Sequence, residues 1–429
     1  MTRPPHTPTE IEAYRKVTRR LLPFLMLCYV VAYLDRVNVG FAKLQMLEDL
    51  GFSDTVYGLG AGLFFIGYFI FEVPSNVILY RVGARIWIGR IMITWGLISA
   101  AFVFVSSPAA FYTMRFLLGA AEAGFYPGII LYLTCWYPSD RRARVITVFM
   151  TAIPISGIVG GPLSGWIMSS MAGYAGWNGW QWMFLIEALP AVVLGVAAML
   201  YLDNDIASAT WLTPGEKALL EANLERDRAS VADHGSLTAL FADRRVWHMC
   251  AIYFAVVMGQ YGLTFWLPTL IQVSGASGVL EVGLLTAIPY GGAGLAMIWL
   301  GRSADRHRER RWHLAVPLLA GAVGVALSAA YGNATWPAVL CLTLAAAGAL
   351  SAAPLFWSLP TAFLGGMAAA AGIATINSVG NLAGFVSPYM VGWLRDATGS
   401  TETGMYLLAG VLVLGAIGVL RVPARLVSR

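Results

Sequence analysis

The sequence predicts an all-α polytopic membrane protein with twelve transmembrane helices in two six-helix bundles, and three observations carry this prediction. Hydrophobic residues make up 58% of the 429 residues and charged residues only 12%. Apolar runs long enough to cross a bilayer recur from Leu21 to Leu420 with short gaps. Lys and Arg concentrate in alternate connections between these runs. A soluble chain would need more surface charge, whereas a bilayer forces each backbone polar group to pair within a helix.

The distribution of positive charge tests the number of spans and predicts their orientation. Of the 28 Lys and Arg residues, 24 fall in the two terminal segments and in alternate connections on one side. Only Lys43 and Arg395 fall on the other side, and Arg36 and Arg115 lie within spans. Because cytoplasmic loops carry the excess of Lys and Arg, both termini are predicted to be cytoplasmic in a bacterial inner membrane. The net charge of +5 is therefore explained by topology, and no nucleic-acid partner is predicted.

The spans group into two halves around a charged linker. The predicted spans are residues 21–41, 57–80, 91–107, 109–133, 145–169, 180–202, 246–273, 282–301, 312–331, 335–357, 363–391 and 403–420. The predicted domains are a cytoplasmic tail (1–20), an N-terminal bundle (21–202), a linker with an amphipathic helix (203–245), a C-terminal bundle (246–420) and a second tail (421–429). The linker helix is predicted from Thr213 and Glu216, which have capping-box spacing.

Several classes of function lack support in the sequence. The four cysteines and five histidines show no metal-ligand or disulfide spacing, so no metal or other cofactor is predicted. None of the three lysines lies in a glycine-rich phosphate loop, which argues against an ATP-driven pump. The spans contain no nucleophile and base pair, and we therefore predict that the protein is not an enzyme.

Two pairs of opposite charges lie within the spans and form the central hypothesis. Asp35 and Arg36 are adjacent in the first span, and Arg115 and Glu122 project from nearly one face of the fourth, roughly 10.5 Å apart along its axis. Ionisable groups at membrane depth are costly and usually face an interior or a watery cavity. We expect Asp35 and Glu122 to exchange protons, while Arg36, with Arg115, holds an organic anion. The alternative is two internal salt bridges that fix helix register.

Other polar and aromatic residues in the spans are weaker candidates. Glu72 precedes Val73-Pro74 near the end of the second span, which favours a structural hydrogen bond or ion pair, and for Glu187 packing, gating and chemistry all remain open. Asn377 and Asn381 share a face of the eleventh span and should point to the pore or to a neighbouring helix. Aromatic residues that could line a cavity are Tyr33, Tyr68, Trp357, Tyr261, Phe265 and Trp266.

A loop motif links the two halves. The stretch from Gly301 through Asp305 and Arg306 follows the eighth span, and a weaker copy between Asn76 and Arg85 follows the second. Both are similar to the G-x-x-x-D-R-x-G-R-R loop signature of the major facilitator superfamily, although Arg308 stands where the later glycine is expected. The resemblance implies that Gly301, Asp305 and Arg306 have structural or gating roles.

Four longer stretches narrow the resemblance. The segments YLDRVNVGFA, GYFIFEVPSN, RFLLGAAEAGFYPG and NSVGNLAGFVSP resemble the anion:cation symporter family of that superfamily. The resemblance implies secondary active transport by alternating access, with proton coupling at Asp35 and Glu122, an ion pair between Arg115 and Glu122, and substrate carboxylate binding at Arg36. It also implies that substrate contacts fall on Tyr33, Tyr68, Trp357 and Asn377.

One departure from the family pattern bears on the substrate. The sugar-acid members carry a glutamine in the fifth span, where this chain has the stretch 151–155, TAIPI. The apolar wall favours an aromatic or short hydroxy or dicarboxylic anion, as in the tartrate, phthalate or hydroxyphenylacetate branch. The alternatives are sodium-coupled or exchange transport of a sugar acid, and a membrane sensor that does not transport. The expected partners are a small organic anion and the lipid bilayer, with the chain a monomer.

Overall fold

The computed structural model describes residues 7–229, 243–307, 309–360 and 366–423, and these residues form an all-α fold. The ends of both predicted tails and residues 230–242 of the predicted linker lie outside the described residues. The helices are α1 (Pro8–Val37), α2 (Val39–Leu50), α3 (Asp54–Val82), α4 (Ala84–Ala100), α5 (Pro108–Glu122), α6 (Phe125–Thr134), α7 (Ser139–Met150), α8 (Ala152–Ser170), α9 (Gly179–Tyr201), α10 (Pro214–Ala229), α11 (Arg244–Val273), α12 (Val279–His307), α13 (Arg311–Ala330), α14 (Thr335–Phe356), α15 (Gly366–Thr398) and α16 (Glu402–Leu420).

The predicted helical membrane fold is confirmed. In the described part of the chain, eleven helical segments are long and apolar enough to cross a bilayer, and three of them are built from two helices each (α1 with α2, α5 with α6, and α7 with α8). The remaining predicted span, the eleventh, corresponds to α15, which packs against α3 and α11. Exposed large apolar side chains on the helices, such as Leu200, Leu295 and Leu340, provide the surface that lipid would cover.

The two halves meet along three helix pairs, which are α3 with α15, α8 with α12, and α2 with α11. Small residues permit the close approach of these helices. A Cβ atom on Gly161 would lie 2.7 Å from the Gly283 carbonyl oxygen, and one on Gly165 would lie 2.7 Å from the Val279 carbonyl oxygen. Substituting either glycine would push the two halves apart, as expected for small-residue packing between membrane helices.

The first helix extends well beyond the predicted first span. It begins at Pro8, capped by the Thr7 side chain, so most of the predicted 1–20 tail is helical. The extension packs on the linker helix α10, where Lys16 Nζ lies 3.1 Å from Glu216. The predicted capping box forms, and the hydrogen bond from the Thr213 backbone amide lowers the pKa of Glu216. The extension and linker therefore form one folded layer, which we call the linker side of the protein.

The two helices that carry the central charges are interrupted next to them. Span one breaks at Asn38, three residues after Asp35, and span four breaks at Ala123 and Gly124, directly after Glu122. Gly124 has φ +85°, a left-handed conformation that only glycine adopts without strain. A Cβ atom there would also collide with the Ser75 side chain. The sequence thus bends span four at the position of its buried acid.

Candidate functional site

Two adjacent cavities lie between the halves. The central cavity has a volume of about 70 Å³, and the vestibule beside it has a volume of about 1190 Å³. Tyr126, Met150, Trp357 and Asn377 line both cavities, so these side chains stand between the central cavity and the vestibule where the two meet. The vestibule reaches the loops after the second and eighth spans, which are on the linker side.

The central cavity is aromatic and contains one charged residue. Arg36 is the only ionisable residue other than tyrosine among the described residues that line it. Its guanidinium carbon lies 5.2 Å from the centre of the Phe64 ring and 5.5 Å from that of Tyr68. Met150 and Ile153 place the predicted apolar wall of span five in the lining. The cavity therefore combines a fixed positive charge with flat, mostly apolar walls. The remaining lining residues are Tyr29, Tyr33, Phe65, Tyr126, Tyr253, Val257, Gln260, Tyr261, Ala353, Trp357, Asn377 and Asn381.

Arg36 joins both halves at the cavity wall. One amino group forms a buried ion pair with Glu122, and the other donates to the Tyr261 hydroxyl at 3.0 Å. Arg36 and Glu122 belong to spans one and four, whereas Tyr261 comes from α11 in the other half. Glu122 is 1% exposed and lies behind Arg36, outside the cavity lining. Any anion that enters the cavity must therefore share Arg36 with Glu122.

Asp35 faces away from the cavity. It accepts hydrogen bonds from the Ser99 hydroxyl and, at 3.4 Å, from the Asn38 amide. The same amide nitrogen donates to Glu187 at 3.1 Å, and Glu187 also accepts from the Ser164 hydroxyl at 2.7 Å. The structure thus separates the two predicted proton carriers, because Glu122 pairs with the cavity-lining Arg36 whereas Asp35 belongs to a second buried cluster.

Arg115 lies elsewhere than the resemblance implied. It is fully buried, and its side chain points at the backbone of α3, 3.4 Å from the carbonyl oxygens of Gly60 and Ala61. It does not line the central cavity, and the ion pair of Glu122 is with Arg36. Arg115 is therefore a buried positive charge near the site without direct access to a ligand in this conformation.

Most of the remaining predicted residues line one of the two cavities, but Phe265 and Trp266 line neither. Tyr33, Tyr68 and Asn381 line the central cavity. The Asn377 amide donates to Glu72 at 3.2 Å, which links the two halves where the central cavity meets the vestibule. The ring centres of Trp357 and Tyr253 lie 4.8 Å apart.

The residues of the loop motif lie at the mouth of the vestibule. Gly301 and Asp305 line it, together with Arg81 from the weaker copy of the motif. Arg306 is exposed on the last turn of α12. The motif is thus placed where the two halves separate on the linker side.

On the side opposite the linker the halves are joined by charged and polar contacts, which we call the outer latch. Asp54 pairs with Lys43 at 2.7 Å and with Arg395 at 3.1 Å. Asp396 accepts from the backbone amides of Asp54 and Thr55, at 3.2 and 2.7 Å. The Lys43 ammonium also lies 3.3 Å from the centre of the Trp266 ring. The only two basic residues predicted on this side thus both belong to the latch.

Sequence reasoning missed several of the functional positions. It did not select Tyr29, Tyr126 or Tyr253, because single aromatic residues in a span carry no signal that separates a cavity from lipid or core. It also missed the outer latch, whose partners Asp54 and Asp396 lie 342 positions apart. The isolated basic residues Lys43 and Arg395 on a side otherwise free of Lys and Arg were the available signal.

Comparisons with known proteins agree with this architecture. The family model described as Major Facilitator Superfamily matches residues 25–388. The chain is 50% identical over 417 residues to NicT of Pseudomonas putida, provisionally named a metabolite transport protein, covering 97% of this chain and 95% of that one. It is also 50% identical over 410 residues to a provisionally named tartrate transporter of Agrobacterium vitis, covering 95% and 94%.

A solved structure supports the fold. The xylose transporter XylE of Escherichia coli, in a partially occluded inward-open conformation, matches with a TM-score of 0.74 at 14% identity, covering 94% of this chain and 97% of that one. The family consists of transporters, so the prediction that the protein is not an enzyme is confirmed. The chain belongs to the major facilitator superfamily.

Proposed function

We propose that this secondary transporter couples the movement of protons to that of a small organic anion, aromatic or a short hydroxy or dicarboxylate. The observation that carries the proposal is the position of Arg36, which faces the cavity while its charge is shared with Glu122. An organic carboxylate would compete with Glu122 for the same guanidinium, whose forked donors suit either. Protonation of Glu122 removes the competitor.

Proton and anion binding would therefore promote each other. Two anions and one cation in a buried site leave an uncompensated negative charge, which is costly in a low dielectric. A proton on Glu122 restores balance when the substrate carboxylate arrives at Arg36. Because coupling free energies are reciprocal, a site that binds the anion more tightly when protonated also binds the proton more tightly when the anion is present.

The lining of the cavity supports the proposed substrate class. Met150, Ile153, Val257 and Ala353 offer apolar surface, while six tyrosines and the amides of Gln260, Asn377 and Asn381 offer hydrogen bonds. The part of the wall that comes from span five, Met150 and Ile153, has no hydrogen-bond partner for a substrate hydroxyl, which favours an aromatic or short anion over a long polyhydroxy chain. The tartrate transporter among the relatives also favours a short hydroxy acid.

The charge distribution and cavities support a direction of opening. If the basic side is cytoplasmic, as the excess of Lys and Arg favours, then the vestibule opens inward and the outer latch closes the periplasmic side. The structure would then be an inward-facing state from which anion and proton leave. Alternating access would require the latch to open and the vestibule to close.

The decisive experiment measures anion binding against pH. A thermal-shift screen of L-tartrate, phthalate, hydroxyphenylacetate and galactonate selects the ligand, and its affinity is then titrated in the wild type and in Glu122→Gln. Wild-type affinity should rise as pH falls, by up to about tenfold per pH unit where Glu122 titrates. The neutral amide should bind the anion tightly and lose the pH dependence that Glu122 contributes. Weak binding by Glu122→Gln at every pH would refute the competition model.

Transport measurements separate the alternatives. In proteoliposomes, uptake of the selected anion should be driven by an inward proton gradient, collapse with a protonophore, and continue without sodium. Uptake that needs sodium and resists the protonophore would indicate sodium coupling. Uptake driven only by a counter-anion would indicate exchange, and binding without uptake would indicate a sensor.

A further inference from the structure

We infer that Glu187 and Asp35 share one proton through Asn38, and that this pair is a second proton-binding site that remains occupied when the substrate cavity is empty. The inference deepens the proposed proton coupling and rests on it for its role in transport. The existence of the shared proton can be tested without any transport measurement.

The geometry brings two acids together without a positive partner in contact. Asp35 and Glu187 are 1% and 2% exposed, and one amide nitrogen of Asn38 donates to both. Asp35 also accepts a hydrogen bond from the Ser99 hydroxyl, and Glu187 accepts one from the Ser164 hydroxyl. Two carboxylates that share a neutral bridge at membrane depth cannot both ionise without a large electrostatic cost.

Unpaired atoms in the cluster also indicate a missing donor. The Oδ2 atom of Asp35 and the Oδ1 atom of Asn38 are buried and have no hydrogen-bond partner. Both are acceptors, and leaving a buried acceptor unpaired is energetically costly. A proton on Asp35 would turn one of these acceptors into a donor. This observation is independent of the count of charges.

The charges that face the pair set the number of protons. From span four, Arg115 and Glu122 interact electrostatically with Asp35, and Glu122 is neutralised by Arg36. The neighbouring spans three and five contribute the neutral hydroxyls of Ser99 and Ser164. Arg115 is therefore the one uncompensated charge near the pair among the described residues. One ionised carboxylate balances it, so the other carboxylate holds a proton.

The arrangement assigns different tasks to the buried acids. Glu122 responds to the anion because both compete for Arg36, whereas the pair is separated from the cavity and communicates through the backbone of span one. Asp35 is adjacent to Arg36, and span one is interrupted at Asn38. Movement of Arg36 toward an anion would therefore alter the hydrogen bonds of the pair. Anion binding would then be coupled to a second proton, in addition to the proton on Glu122.

Infrared spectroscopy of the purified full-length protein tests the shared proton directly. A protonated carboxyl group gives a carbonyl band that an ionised one lacks. If the two acids share one proton, a band present in the wild type at pH 7 should vanish in both Glu187→Gln and Asp35→Asn, because each leaves a single acid that can ionise against Arg115. The matched control Ser164→Ala removes a hydrogen bond but no acid, and should keep the band.

Three outcomes would overturn the inference. In the first, the wild type shows no carboxyl band from the pair. In the second, the band persists in Glu187→Gln or in Asp35→Asn. In the third, the spectrum changes on addition of sodium in a way that indicates a bound cation in place of the proton. Thermal unfolding of each variant, and of Glu187→Asp as a conservative control that should keep the band, establishes that the variants are folded. None of these outcomes depends on whether L-tartrate or another anion is transported, so failure of the proposed function is detected separately by uptake.

Discussion

Removing Asp396 should open the outer latch. Asp396 belongs to α15 and accepts from the two backbone amides at the start of α3, so it caps a helix of the opposite half. The Lys43 to Asp54 pair lies within one half and would survive opening, whereas the Asp396 contacts must break. The substitution Asp396→Ala therefore destabilises the latched state selectively.

The size of the effect follows from the contacts. Loss of a capping carboxylate costs about 0.5–2 kcal/mol, and a value near 1 kcal/mol is expected here because Asp396 is exposed to water that can replace it. A change of about 1 kcal/mol shifts the ratio of latched to open molecules about 5-fold. If the open state is a minor species in the wild type, its population should rise by roughly this factor.

Distances between spin labels on the outer loops measure the shift. In a background without the four native cysteines, labels at Ser106→Cys and Asn333→Cys report the separation of the halves, since both positions are exposed on outer loops of different halves. Asp396→Ala should enlarge the long-distance population. Glu402→Ala, an exposed acid on the same side, should not. An unchanged distribution in a folded Asp396→Ala protein, or an equal change in Glu402→Ala, would refute the latch.

Three further predictions test the site and its supports. Val77 lines the vestibule and is 48% exposed, so Val77→Cys should react with membrane-impermeant thiol reagents added on the linker side. The reaction should be slower when Asp396 is also replaced by Ala. Equal reaction rates from both sides of the membrane would contradict the assigned opening. Tyr261→Phe removes the hydroxyl that accepts a hydrogen bond from Arg36 and orients it, and should weaken anion binding about tenfold, measured by calorimetry, with unchanged affinity as the contrary result. Gly124→Ala should lower the unfolding temperature more than Gly173→Ala: both glycines have positive φ, which costs about 1–2 kcal/mol for alanine, but only Gly124 would also collide with Ser75.

Features that depend on residues close together in the sequence could be predicted, whereas features that depend on contacts between distant residues could not. The span count, the helix bounds to within a few residues and the capping box at Thr213 depend on local periodicity and spacing, which one chain displays. The start of α1 at Pro8 was missed because its buried face is covered by the linker helix, a contact that hydropathy does not reveal. The position of Arg36 in a cavity was predictable because a charge in a span needs an interior.

The partners of the buried charges required three dimensions. The family resemblance implied that Arg115 would pair with Glu122, seven residues further along the same span, yet Arg36 from another span takes that acid and Arg115 turns to the carbonyl oxygens of α3. The spacing of residues along the sequence indicates which side chains share a face of a helix. The residues that this face contacts depend on how the helix is rotated and packed against its neighbours. Glu187 could not be linked to Asp35 from sequence for the same reason, because the bridge through Asn38 joins helices 149 positions apart.

The sequence by itself determined that this chain is a helical membrane transporter, because burial in lipid imposes apolar runs, asymmetric loops and rare internal charges that are legible along one dimension. The tertiary structure alone decided which acid pairs with the cavity-lining Arg36, which acid lies beside a second buried carboxylate, and on which side of the protein the vestibule lies. Those properties depend on contacts between helices that are distant in sequence, and on the relative placement of two bundles that the same sequence can arrange in more than one way.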